Sequence, residues 1–212
     1  MTVVKKNKVF SKSGKTKLEK SLKQILIQSF NQAAESFSRL LMQEMVISKY
    51  KIELITGEQF MERLGDEMED GYFASIIKPK NELDTTILFL IREEEGKRLY
   101  HILNETPENN EVTSLEDMIS SIGELNNIIG SNFVNCLANT LNLTIQGSVP
   151  RNTLDLLGAI LESVILQHEF VNKNIFCAEA TISDKIHTAF NVRLIILSDK
   201  IQLMKFLNLS EE

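Results

Sequence analysis

The second half of this sequence repeats the order of the first, and that repeat restricts the possible folds more than any other feature. With residue 124 set over residue 24, two long helical segments align without a gap. Leu22 falls over Ile122, Phe37 over Leu137, Ser38 over Ala138 and Leu41 over Leu141, so both apolar stripes share one phase. Each helix leads into a strand-like stretch, Met45–Ile55 and Leu143–Val149. A shorter helical pattern follows in each half, Gln59–Met68 and Thr153–Gln167, the latter with Leu154, Leu157, Ile160 and Val164 at helical spacing. Two β-rich runs come next, Tyr72–Lys78 with Thr85–Ile91 and Asn174–Ile182 with Phe190–Leu197. Each half closes on a small helix, RLYHILN at 98–104 and QLMKFLN at 202–208.

The order αβαββα, read twice, predicts an α+β fold in which two duplicated halves share one six-stranded sheet flanked by long helices, because three strands alone make a marginal core. The acidic, Asn-rich stretch Asn104–Val112 is the expected linker between repeats of about 16–105 and 113–209, which together form a single domain over 16–212. Residues 1–15 read as a flexible basic arm. The first twenty residues hold seven lysines against Glu19 alone, so the rest of a chain of net charge −6 is more acidic than the total suggests. The arm has no arginine and no nucleic-acid fold motif around it, which favours a solvated tail over a nucleic-acid contact.

A chain of 212 residues that is 43% hydrophobic and 25% charged has an ordinary globular composition, which excludes disordered, collagen-like and disulfide-scaffold classes. Its longest unbroken apolar run, Ile87–Ile91, is far short of the roughly 20 residues of a spanning helix, and lysines occupy the place of a signal peptide's apolar stretch. A cytoplasmic protein without a transmembrane segment is expected. Cys136 and Cys177 sit among apolar neighbours and read as reduced core thiols. His101, His168 and His187 are scattered at unrelated phases, with no metal-binding spacing, so no metal is expected on this chain.

The second long helix carries the chemical information. Thr113 or Ser114 can cap it, with Glu116 or Asp117 as the reciprocal partner. Leu115, Met118, Ile122, Leu125, Ile129, Phe133 and Cys136 form one broad stripe that must face the sheet. Ser120, Glu124, Asn127, Ser131 and Asn135 fall together on the opposite side. An ordinary solvated face carries many Lys, Glu and Arg residues, whereas no basic residue occurs from Glu116 to Leu143. A carboxylate and a carboxamide at i and i+3 project side by side, so both can enter one partner cleft; the acid can grip a lysine and the amide can hold a water by one donor and one acceptor.

The stretch SSIGELNNIIGSNFVNCLANTL from Ser120, continued to Pro150, resembles the active-site motif of the CheC, CheX and FliY phosphatases of chemotaxis. Ser120, Glu124, Asn127 and Pro150 match the motif, Ile128, Gly130, Asn135 and Leu137 fit its looser positions, and the duplicated layout is closest to CheC. The resemblance implies hydrolysis of the aspartyl phosphate of a CheY-like response regulator. Glu124 would pair with the regulator's lysine, and Asn127 would align a water in line with phosphorus. It also implies that the Mg²⁺ belongs to the regulator, with no cofactor on this chain. NQAAESFSRLL at 31–41 resembles the family's first helix, but Gln24 and Ile27 stand where the pair would be, and Ile27 cannot orient a water, so the first site is expected to be inactive. Asn126, at a position usually small in the family, faces inward by phase and needs a partner. It either bonds the neighbouring helix or holds its own helix farther from its support. The alternative implied by the same resemblance is a non-catalytic module, like the flagellar switch component FliM or a CheD-binding adaptor.

Overall fold

The computed structural model describes residues 12–80, 85–107, 114–141, 146–185 and 190–200. In the first half the elements are α1 (Lys12–Leu41), β1 (Met45–Thr56), α2 (Gly57–Leu64) with a 3-10 turn at Gly65–Glu69, β2 (Gly71–Ile77), the short β3 (Pro79–Lys80), β4 (Thr85–Arg92) and α3 (Glu93–Leu103). The second half has α4 (Leu115–Leu141), the short β5 (Gln146–Gly147), β6 (Arg151–Leu156), α5 (Leu157–Gln167), β7 (Asn174–Asp184) and β8 (Asn191–Asp199). The six long strands form one antiparallel sheet in the order β1-β7-β8-β4-β2-β6, and β3 pairs with β5 in a separate two-stranded ribbon.

The order is palindromic about the β4–β8 pair, with each half's first strand exchanged: β1 pairs with β7 of the second half, and β6 with β2 of the first. Successive side chains alternate between the two faces. Phe73, Ile77, Phe89, Ile91, Ala178 and Leu194 pack on one side with α1, α3 and α4; Ala74, Leu88, Leu90, Cys177 and Ile195 pack on the other with α2 and α5. Since helices cover both faces at the centre, β4 is buried from Thr85 through Ile91 and reads as the unbroken apolar run noted in the sequence. Phe30 of α1 stacks on Phe133 of α4, ring centroids 5.8 Å apart, and fixes the two long helices against each other.

Several boundaries differ from expectation, among them the helix placed at 98–104, which starts at Glu93, and the one placed at Gln59–Met68, which is α2 at Gly57–Leu64 followed by the 3-10 turn. Of the strand expected at Leu143–Val149, Gln146–Gly147 form β5 of the small ribbon and residues 143–145 lie outside the described residues; the strand that joins the main sheet is β6, at Arg151–Leu156, and the helix placed from Thr153 starts at Leu157. Pro150 offers no ladder N–H and precedes the strand; β6 is an edge strand, so its wording, RNTLDL, is mostly polar and exposed. Lys12–Lys15, assigned by sequence to a flexible arm, are helical as the start of α1, while residues 1–11 and the helix expected at 202–208 lie outside the described residues. The expected linker begins as a turn at Asn104 and Glu105.

The exchange predicts that neither repeat folds alone. Expressed separately, residues 16–105 and 113–212 should each give poorly dispersed NMR spectra, since β1 and β6 lose the ladder partners they have among the described residues. Mixing the two should restore a dispersed spectrum, and a well-dispersed isolated half would contradict the interlocked sheet.

Candidate functional site

Ser114 begins the site helix: its Oγ accepts from the Asp117 backbone N–H at 3.2 Å, and Glu116 and Asp117 lie in the positive first turn. Met118, Ile122, Leu125, Ile129 and Phe133 are buried against the sheet as the phase required, and Cys136 is half-buried beside Ser29 at 3.8 Å. Leu115 departs from the expected stripe. It is 52% exposed, because it opens the helix one turn before Met118, the first of the stripe to reach the core.

Ser120, Glu124, Asn127, Ser131 and Asn135 are all exposed on the outer face of α4. Glu124 and Asn127 are thus neighbours on one accessible helix surface, about 5–6 Å apart at Cβ by helix geometry. Pro150 is half-buried and joins β6 just before Asn152. At the corresponding place on α1, Gln24 is exposed and Ile27 half-buried, so that helix presents an amide beside an apolar side chain.

Two glycines bring α4 close to its support. A Cβ on Gly130 would lie 2.3 Å from Ile77 Cδ1, and one on Gly123 would lie 2.1 Å from Asn152 Nδ2. Between these contacts, Asn126 is completely buried and donates from Nδ2 to Ser75 Oγ at 3.0 Å; Ser75 Oγ in turn donates to Asn152 Oδ1 at 2.7 Å. The sequence had left a neighbouring helix or a stand-off from the support as alternatives for Asn126. Its partner is instead a serine of strand β2, and α4 sits tightly on the sheet. Asn126 Oδ1 accepts no hydrogen bond among the described residues, at a cost of about 1–3 kcal/mol for a buried acceptor. Ser75 and Asn152 escaped the sequence reading; the available signal was one hydroxyl in the otherwise apolar strand GYFASII.

Between α1 and α4 lies an open cleft of about 330 Å³ whose lining is carboxamide-rich and uncharged: Gln28, Gln32, Asn132, Asn135, Cys136, Asn139 and Thr140. It continues the polar outer face of α4 toward α1.

The opposite face of the sheet holds a second cavity, about 230 Å³, next to a charge network absent from the sequence reading. Arg193 pairs with Glu67 and Glu179, both at 2.9 Å; Arg63 bridges Glu179 and Glu53; Arg92 reaches Glu67 at 3.0 Å; and Tyr72 donates to Glu67 at 2.6 Å. Burial pushes the Glu67 carboxyl upward, but the Tyr72 hydroxyl and the two arginines outweigh it and hold it below the usual carboxylate range. Burial, then the bond to Glu67, pushes the Tyr72 hydroxyl up to about 12. Each arginine of the network has an acidic partner, so the network reads as self-contained support across this face of the sheet. Burial likewise pushes the Cys177 thiol up to about 12, which makes it a core thiol.

Among the described residues no three His, Cys, Asp or Glu side chains converge on a possible metal position, and no helix is long and apolar enough to cross a membrane. His101 bonds Thr106 at 2.9 Å, and His168 bonds Thr86 at 2.8 Å while stacking on Phe170; His187 lies outside the described residues.

The fold is similar to those of several solved chemotaxis and flagellar proteins. FliY from Thermotoga maritima matches with a TM-score of 0.68 at 12% identity, over 95% of this chain and 97% of that one. FliM in its complex with SpeE from H. pylori gives 0.63 at 13% identity, over 94% and 95%. CheX from Borrelia burgdorferi, in a complex with CheY, BeF3 and Mg²⁺, gives 0.53 at 14% identity, over 84% and 97%. At the level of sequence, no family model and no curated protein matches the chain.

The charge network generates a pH prediction. Tyr72→Phe should destabilise the protein by about 1–2 kcal/mol at pH 7, since the lost bond is to a charged group. A lowered carboxyl contributes stability above its unfolded value that vanishes as pH falls through its folded value. The difference in urea midpoint between wild type and variant should therefore shrink below the model-peptide carboxyl value of 4.5. A gap that stays constant down to pH 3 would contradict the proposed bond.

Proposed function

We propose that this chain accelerates loss of phosphate from the aspartyl phosphate of a CheY-like response regulator, with Glu124 and Asn127 of α4 as the working pair. The carrying observation is that both side chains stand exposed on one face of α4, among small polar neighbours and with no basic residue on the helix to neutralise the acid. The pair matches the spacing of the CheC, CheX and FliY motif, and a protein of the same fold, CheX, has been crystallised with CheY, BeF3 and Mg²⁺.

In this reading Glu124 pairs with a lysine of the regulator and sets the docking angle. The Asn127 carboxamide accepts from a water through Oδ1 and donates through Nδ2, so that the water's oxygen points at phosphorus. The new P–O bond forms as the bond to the regulator's aspartate breaks; the electron pair stays on the departing carboxylate, and the water's proton leaves with inorganic phosphate. The regulator supplies its own Mg²⁺, and this chain forms no covalent intermediate. Positioning carries most of such a reaction, and a hundredfold gain requires about 2.7 kcal/mol, within reach of one oriented amide and one ordered water.

Mixed with a phosphorylated response regulator, the wild-type protein should speed phosphate release on the order of tenfold or more, and Asn127→Ala should return the rate close to autohydrolysis. Gln24→Ala should change nothing, because α1 lacks the amide at Ile27. Equal rates with and without the protein for each regulator tried would remove the enzymatic reading. The second reading, a binding module of the flagellar switch, would then stand; its support is the fold shared with FliM and the lost pair on α1.

A further inference from the structure

The internal repeat gives this protein its own control. The hundred-residue offset that pairs α1 with α4 also pairs β1 with β6, so Asn126 corresponds to Leu26 and Asn152 to Ile52. Ser75 faces Asn152 in the β2–β6 ladder, just as Ala178 faces Ile52 in the β7–β1 ladder. Beneath the helix that retains Glu124 and Asn127 there is thus a hydrogen-bonded trio, Asn126, Ser75 and Asn152. Beneath the helix that carries Gln24 and Ile27, the same three places are apolar: Leu26 and Ala178 are buried in the core, and Ile52 packs against it. The fold does not require polarity at these positions, since one half is built without it.

We propose that Ser75, Asn126 and Asn152 are positioning residues, a directional lock that fixes the rotation of α4 about its axis and so the aim of Glu124 and Asn127. An apolar contact is non-directional and tolerates a helix rolling over it, whereas the 3.0 Å and 2.7 Å bonds of the trio hold only in a narrow range of orientation. Side-chain tips lie roughly 5–6 Å from a helix axis, so a roll of about 20° moves them by about 2 Å, enough to cost on the order of a hundredfold in a positioned reaction. Gly123 takes part by having no Cβ: the Asn152 amide occupies that space directly beside Glu124. The buried, unpartnered Asn126 Oδ1 agrees with a role other than stability, since such an atom weakens the fold that contains it.

This inference rests on the phosphatase reading, and its test separates the two. Ser75→Ala with Asn126→Leu copies two of the three apolar places of the other half into this one and leaves the amide of Asn152, an exposed residue of the edge strand, to solvent. The double variant should unfold at the wild-type urea concentration or above. Its rate at saturating phosphorylated regulator should fall at least tenfold, with the half-saturating regulator concentration within twofold of wild type, because docking spreads over many contacts. Ser75→Thr, which keeps the hydroxyl, should retain most of the rate. A double variant as fast as wild type overturns the lock, as does loss of the fold in both Ser75→Ala and the double variant, which would make the trio structural. If wild type accelerates no regulator, the phosphatase reading fails, and amide hydrogen exchange decides on the lock. Faster exchange at residues 120–128 in the double variant, at unchanged global stability, supports it, and unchanged exchange overturns it.

Discussion

The reciprocal exchange of β1 and β6 is the constraint on which the rest of the molecule depends. Without it, each half would be a three-stranded sheet, a size at which burial scarcely offsets chain entropy. With it, β4 and β8 become interior strands covered on both faces, and the palindromic order places α1 and α4 side by side over the centre. The arrangement also makes the candidate site a joint product of the halves: α4 and β6 come from the second repeat, but the strand between them and the core, β2 with Ser75, comes from the first.

Such a scaffold allows its two helical faces to diverge. The inner stripes of α1 and α4 are held by the shared core and keep the same phase, with Phe30 and Phe133 buried against each other. The outer faces carry no packing load. Gln24 and Ile27 on one and Glu124 and Asn127 on the other therefore differ at little cost to folding, since surface substitutions away from caps and networks usually change stability by about half a kcal/mol or less. Divergence also reaches inward where Asn126, Ser75 and Asn152 replace the apolar set of the other half. Polarity there has an energetic penalty, and it lies under the helix face that retains the acid and the amide.

The helical face was legible in the sequence, because a 3.6-residue period over a long helix assigns inside and outside with little ambiguity; Glu124, Asn127 and the inward Asn126 were all placed by phase. The strand β6 was not, since an edge strand with one ladder partner and an exposed side has no apolar alternation to betray it, and the more apolar text before Pro150 drew the assignment forward. Leu115 was assigned to the core because phase gives direction but not reach. The trio escaped for a different reason: Asn126, Ser75 and Asn152 come from three elements and meet only through ladder register, which no local pattern encodes. The network of Arg193, Glu67, Glu179 and Arg63 was invisible for the same cause.

The outer face of α4 also limits how a partner can be held there. A single exposed carboxylate contributes at most about 1 kcal/mol as half of a surface ion pair and is screened by salt, so under the proposed reading Glu124 selects an orientation far more than it supplies affinity. Affinity must come from area, and the area available is the uncharged, carboxamide-rich cleft between α1 and α4 together with the exposed Ile128. Amides satisfy donors and acceptors of either kind without the desolvation cost of charge, which would suit the release of a partner after each turnover under that reading. Under the proposed reading the labour divides: broad neutral contact for encounter, one acid for direction, one amide for the water. On the proposed reading, α4 meets the last two demands only while its roll is fixed, which ties the exposed pair to the hydrogen bonds beneath it.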